Sequence, residues 1–492
     1  GSDGSRGHLS WFASIEIRAW RSTLLMLSVR FPRLALVVRC SLVLLSVGML
    51  VASGCQQKSS TAEATTSPEQ ATASSPEADP TPQADRDEEK LAENLAAITS
   101  ASLSVTGVEL GCDDLVQGIP GEGPLTVEEL KAWLDREEVH QVIEPKLPIG
   151  MAMGQREITG LDENPLTLAK IELGRQLYFD TRLSKDTSLS CASCHDPNNG
   201  YAASTRFGVG IEKQEGNRNS PTAYNRILSA EQFWDGRAGS LEEQAIGPIA
   251  NPIEMGNTHE GCIECLAGIA GYRLQFERLF DDGLTIENVG KALASFERVI
   301  VTGASPWDHY ERVASFKETY ADDLSDLALL EEEDPELYTE YRALERMVKE
   351  NPIDEAAIRG GKLFFDDRSN CSACHNGANF TDELYHNIGV GMDADEPDLG
   401  RYVVTKDDSD RGAFKTPTLR NVAQTAPYMH DGSQQTLEEV VAWYNKGGHA
   451  NEWLSSEIRP LELTEQEQAD LVAFLKALTG PLPRVATDRL PE

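Results

Sequence analysis

Two pentapeptides carry the most specific chemistry in the chain. Cys191-Ala192-Ser193-Cys194-His195 and Cys371-Ser372-Ala373-Cys374-His375 both read Cys-x-x-Cys-His. Two thiols at that spacing can form thioether bonds to a porphyrin, and the adjacent imidazole can bind its iron from one side. The pattern predicts two covalently held c-type haems. Cys262-Ile263-Glu264-Cys265 shares the cysteine spacing but is followed by Leu266, so it is not a third attachment site. The expectation there is a disulfide, either within the pair or from Cys112 to one of the two. A thiol–histidine metal site with His259 is the alternative.

The flanks of the two motifs also repeat. Gly174-Arg175-Gln176-Leu177-Tyr178-Phe179-Asp180 precedes the first, and Gly360-Gly361-Lys362-Leu363-Phe364-Phe365-Asp366 precedes the second. Each resembles the amino-terminal helix of a small cytochrome c. Each repeat closes with an amphipathic helix. Thr464 and Glu467 form a capping-box pattern, after which Leu471, Phe474, Leu475 and Leu478 recur at helical spacing up to Gly480. In the first repeat Thr285 opens a run with Ile286, Val289, Leu293 and Phe296, ending at Gly303. These stripes predict packed core. The fold class is therefore all-α, with two cytochrome c-like haem domains in tandem.

Composition bounds the rest. The 492 residues hold 80 Asp+Glu against 44 Lys+Arg, for a net charge of -36. So acidic a chain lacks the basic stripe that nucleic-acid binding requires. Hydrophobic content of 40% excludes a polytopic membrane protein. Arg30, Arg33 and Arg39 precede an uncharged run from Cys40 to Gln57, whose apolar core, Leu42 to Ala52, is too short to span a bilayer. It ends in Val51-Ala52-Ser53-Gly54-Cys55, which resembles a bacterial lipobox and predicts export with a lipid on Cys55. An ordinary signal peptide cut nearby and a retained membrane helix are the alternatives, and Met26 would open a leader of ordinary length. The Ser-, Thr-, Ala-, Pro- and Glu-rich residues that follow read as a disordered tether. The expected organisation is a leader over 1–55, a linker over 56–90 and an extension of unassigned role over 91–155. A first haem domain (156–310), an acidic helical insertion (311–354) and a second haem domain (355–492) follow.

Longer markers extend the pattern. Phe233-Trp234-Asp235-Gly236-Arg237, Leu241-Glu242-Glu243-Gln244-Ala245, Asn251-Pro252-Ile253-Glu254-Met255-Gly256, Thr416-Pro417-Thr418-Leu419-Arg420-Asn421-Val422 and Pro427-Tyr428-Met429-His430-Asp431-Gly432 all lie between about 160 and 482. With the paired motifs, the chain resembles the bacterial di-haem cytochrome c peroxidases and the related MauG enzymes. The resemblance implies reduction of hydrogen peroxide at one haem, with electrons from a small redox protein (a cytochrome c or a cupredoxin) entering through the other. It implies that Glu254 is the acid/base for O–O cleavage, that Gln244 holds peroxide and that Pro248 shapes the pocket. Trp234 would lie between the haems, and Asn219, Thr425 and Pro427 would hold a calcium ion. It also allows a homodimer.

Two departures bear on the iron ligands. Relatives that need reductive activation carry a histidine in the loop before the Phe-Trp-Asp-Gly-Arg marker. Here Ile211 stands near that place, and no His occurs between His195 and His259. The first haem is therefore expected to be open on its second side. For the second haem, opposite His375, the candidates are His386, Met392, Met429, His430, Tyr444 and His449. In the ordinary peroxidases a Met follows a Thr-Leu-Glu-Glu helix start at the position held here by Tyr444, and Tyr is the MauG pattern. A phenolate favours ferric and higher states, whereas a thioether favours ferrous iron. A MauG-like oxidase acting on a partner protein or organic substrate is thus a second reading, and a simple electron carrier a third.

Overall fold

The computed structural model describes residues 83–101 and 107–492. The leader, with Cys55, and residues 56–82 of the linker lie outside the described residues. The rest is helical, with one two-stranded ribbon, Tyr385–His386 (β1) against Phe414–Lys415 (β2). In chain order the helices are α1 (Gln83–Ser100), α2 (Val127–Leu134), α3 (Leu168–Phe179), α4 (Leu241–Ala250), α5 (His259–Gly268), α6 (Ala270–Leu279) and α7 (Ile286–Val299). They continue with α8 (Pro306–Thr319), α9 (Leu327–Glu333), α10 (Pro335–Glu350), α11 (Glu355–Phe364), α12 (Tyr402–Thr405), α13 (Leu437–Asn445) and α14 (Glu465–Ala477). No described helix is long and apolar enough to cross a membrane.

Each half is built on one helix crossing, α3 on α7 and α11 on α14. Val289, Leu293 and Phe296 on α7 are fully buried, as are Phe474 and Leu478 at the end of the second half. Each large apolar side chain so buried contributes roughly 1.5–3 kcal/mol. The crossings are close because a glycine sits at each. A Cβ on Gly174 would run into Ala292 O and the Phe296 side chain, and one on Gly360 into Asp470 O and the Phe474 side chain. Helix starts are fixed by side-chain caps: Thr167, Thr285 and Thr464 each accept from the backbone N–H three residues on. The Thr464–Glu467 capping box forms as the sequence predicts.

The segment boundaries differ from the sequence reading in three places. Helix α1 starts at Gln83, ahead of position 91. Trp307, expected at the end of the first domain, belongs to the second core and meets Phe474 edge-on at 4.8 Å. Residues 481–492 leave the second domain and strap onto the first. The Arg175 guanidinium donates to Ala486 O (2.6 Å) and Asp488 O (2.9 Å), and Arg489 pairs with Glu129 at 2.6 Å, both side chains buried. The extension packs there as well: Leu110, Leu130, Val139 and Met151 join the first core. None of these contacts leaves a local trace in sequence, because their partners lie far along the chain.

The cysteine expectation also needs correction. Cys112, Cys262 and Cys265 are free thiols. Cys262 points into the first core from α5, and burial pushes its thiol up to about 12. Cys112 instead hydrogen-bonds Glu109 O. His259 gives its Nε2 to Ile246 O at 3.1 Å, so the described residues form no thiol–histidine metal site there.

Replacing Gly360 by Ala should push α11 off α14. Overpacking of this kind costs about 1–3 kcal/mol, with the clash falling on backbone that cannot yield. A lowered Tm of the haem-loaded protein is expected, and an unchanged Tm would show that the crossing tolerates a methyl group.

Candidate functional site

Each Cys-x-x-Cys-His motif forms a single 3-10 turn opening onto a cavity. The first cavity, about 490 Å3, is lined by Cys191, Cys194, His195, Gln244, Pro248 and Glu254. The second, about 170 Å3, is lined by Cys371, Cys374, His375, Met429 and Tyr444. Trp234 lines both. The two histidines are held alike: Nδ1 of His195 lies 3.2 Å from Tyr201 O, and Nδ1 of His375 lies 3.1 Å from Phe380 O. Such a bond fixes Nδ1 as the protonated nitrogen and frees Nε2 as a metal donor.

The chemistry of this donor set fits covalent haem. Burial pushes both imidazoles down, so they are neutral, which is the ligating form. Burial pushes the thiols of Cys191, Cys194, Cys371 and Cys374 up. Groups so buried suit uncharged thioethers better than thiolates.

Glu254 sits in the loop after α4, positioned by Asn251, whose Nδ2 donates to its Oε1 at 2.8 Å. Burial pushes the Glu254 carboxyl up, against the opposing pull of Arg237 and the Asn251 bond. Gln244 and Pro248 lie on α4 itself, one turn apart on the face toward the cavity. Ile211 donates its backbone N–H to Glu254 O at 2.8 Å, but its side chain packs on Gly256 and does not line the cavity. Among the described residues, His195 is the one histidine that lines the first cavity.

Of the six candidates for the second cavity, Tyr444, Met429, His386 and His430 line it, whereas Met392 and His449 do not. His386 is engaged through Nε2 with Asp382 (2.8 Å), and the His430 ring stacks on Phe414 at 3.6 Å. Burial raises the Tyr444 phenol, with only the two motif thiols acting on it besides. Asn219, Thr425 and Pro427 all line the first cavity. Asn219 also carries the bridge residue: its carbonyl accepts from Trp234 Nε1 at 2.9 Å, while Lys415 donates its backbone N–H to Trp234 O at 2.8 Å.

The structure reveals a regularity that the motif reading missed. One constant shift along the chain carries Pro221 onto Pro417, Asn225 onto Asn421, Gly236 onto Gly432 and the α4 cap Ser240 onto the α13 cap Thr436. The backbones agree: Asn225 and Asn421 have φ 57° and 53°, and Phe233 and Met429 have φ 69° and 71°. The same shift carries Pro248 onto Tyr444. At equivalent places, then, one cavity receives a side chain with no donor atom and the other a phenol. Glu297, on α7, was also missed. It lines the first cavity, and burial pushes it up to about 8. A stripe counted for apolar residues does not register it.

Comparisons with known proteins identify the family. The family model described as di-haem cytochrome c peroxidase matches residues 168–315, and the cytochrome c model matches 357–479. The methylamine utilization protein MauG of Methylophilus methylotrophus is 34% identical over 67% of this chain and 88% of its own length. The cytochrome c551 peroxidase of Pseudomonas aeruginosa is 35% identical over 68% of this chain and 86% of its own. The crystal structure of a MauG-like protein associated with microbial copper homeostasis superposes with a TM-score of 0.55 at 29% identity, covering 66% of this chain and 93% of the other. Two haem-attachment turns on two cavities, and relatives matched over most of their length, place the chain in the di-haem cytochrome c peroxidase family, the haem-bearing oxidoreductases that include MauG.

Proposed function

We propose that the first cavity reduces hydrogen peroxide to water and that the second feeds it electrons from a small redox protein, a cytochrome c or a cupredoxin. Cys191, Cys194 and His195 would hold one haem; Cys371, Cys374 and His375, with Tyr444 as a further donor, would hold the other. The bound haems supply the iron at which the O–O bond breaks and the path by which electrons arrive. The observation that carries the reading is Glu254, a buried carboxyl with a raised pKa in the cavity that His195 lines. Glu254 takes a proton from the near peroxide oxygen and returns one to the leaving oxygen. Gln244 hydrogen-bonds the peroxide. Pro248 keeps the approach open, because it has no atom able to bind a metal. Trp234 carries electrons between the cavities. Asn219, with backbone oxygens of Thr425 and Pro427, would supply the oxygen donors that a calcium ion takes.

The leader reading supports a periplasmic protein tethered by a lipid on Cys55. A MauG-like oxidase remains the second reading, favoured by Tyr444 in the second cavity. Steady-state turnover with peroxide and a reduced cytochrome, without prior reduction of the enzyme, separates the two. Fast donor oxidation supports the peroxidase. A long-lived oxidised protein with little donor oxidation supports the oxidase.

Glu254→Gln should lower peroxide turnover by about 10²–10⁴-fold, the usual worth of a positioned acid/base. In the unmutated protein the base form is populated above the raised Glu254 pKa. Turnover should therefore fall with decreasing pH at a higher pH than a solvent-exposed carboxylate at about 4.3 would give; a rate flat across that range removes Glu254 from the role. Tyr444→Phe should change the absorption spectrum of one haem and leave the other unaltered, and an unchanged spectrum excludes Tyr444 as a ligand.

A further inference from the structure

One ionisable cluster at the junction of the two haem domains has no part in the reaction described so far. Tyr385, on β1, donates its hydroxyl to Glu231 Oε2 at 2.6 Å. Arg401 lies over the phenol ring, 4.2 Å from its centroid, and pairs with Glu231 Oε1 at 3.0 Å. The same guanidinium donates to Asp235 O and Gly236 O, both at 2.9 Å. Gly236 leaves room for the phenol: a Cβ there would collide with the Tyr385 oxygen. Tyr385 is paired in register with Lys415, whose backbone N–H donates to Trp234 O at 2.8 Å. The tyrosine thus abuts the turn that carries Trp234 and also reaches the surface. It is half-buried, the adjacent Leu384 is 58% exposed, and the Glu231 side chain is 41% exposed.

A phenol can give up an electron near neutral pH only if its proton leaves with it, and the acceptor must be in place beforehand. Glu231 meets that requirement. Burial opposes its charge, but the bonds from Tyr385 and Arg401 hold the carboxyl below its usual range, so it is ionised and ready to accept. Burial and the Glu231 carboxylate hold the phenol protonated at rest.

We propose that Tyr385, with Glu231 as its proton acceptor, is a redox-active tyrosine through which single electrons pass between the surface and Trp234. The inference rests on the reading of Trp234 as the inter-haem carrier. In each step Tyr385 gives one electron inward, its O–H bond breaks and the proton moves to Glu231 Oε2. A one-electron reductant at the surface then returns the electron, and the proton goes back to the phenol oxygen. Two such steps deliver the two electrons that one peroxide consumes, and the two protons that complete water come from solvent.

The test is rapid-freeze electron paramagnetic resonance of the full haem-loaded protein after peroxide is added without a donor, with peroxide loss measured in the same samples. A tyrosyl signal is expected that narrows when tyrosine is ring-deuterated and is lost in Tyr385→Phe. Glu231→Gln keeps the ring and removes the proton acceptor, so the signal should be sharply reduced. The two-haem absorption spectrum and Tm confirm that each variant is folded. If the unmutated protein consumes no peroxide, this inference and the proposed function both fall. If peroxide is consumed but the tyrosyl signal is absent, or persists unchanged in Tyr385→Phe, the peroxidase reading stands and the role of Tyr385 is overturned.

Discussion

The bond from each motif histidine's Nδ1 to a backbone carbonyl is the constraint on which the rest of the molecule depends. His195 is tied to Tyr201 O and His375 to Phe380 O. Each bond selects one tautomer and sets the plane of the ring, so that Nε2 faces a cavity. An imidazole free to rotate would leave the porphyrin anchored only by its thioethers. Short loops supply both carbonyls, and the glycine-spaced crossings of α3 on α7 and α11 on α14 hold the domains that carry those loops.

The difference between the two cavities is small in sequence and large in chemistry. One plan is visible in both, in the left-handed Asn225 and Asn421, the matched turns at Phe233 and Met429 and the equivalent caps Ser240 and Thr436. On that common frame Pro248 and Tyr444 occupy the same place. Pro248 offers its cavity no side-chain donor, whereas Tyr444 offers its cavity a phenol. Asymmetry of function is thus compatible with near-symmetry of fold.

Much of the site was legible because its signals are local. Cys-x-x-Cys-His, the Thr464–Glu467 cap and the stripes on α7 and α14 declare themselves within a few residues. The wall positions of Gln244, Pro248, Glu254, Trp234 and Tyr444 followed from motif resemblance, and the structure places each beside a cavity. Long-range features were not legible. Arg175 with residues 486–489, Trp307 in the second core and the Tyr385–Glu231 pair join positions that no periodicity links. The cysteines misled in another way: Cys262 and Cys265 lie one turn apart on α5, near enough for Cys265 to help raise the Cys262 thiol, yet both are free thiols.

The strap formed by residues 481–492 makes the first domain depend on the end of the chain. Arg175 on α3 finds its carbonyl partners at Ala486 and Asp488, more than 300 positions downstream, and the buried Glu129 of the extension finds its guanidinium at Arg489. Contacts of such long sequence separation form late relative to local helix packing. A chain ending after α14 would therefore leave buried charges on the amino-terminal half without these partners.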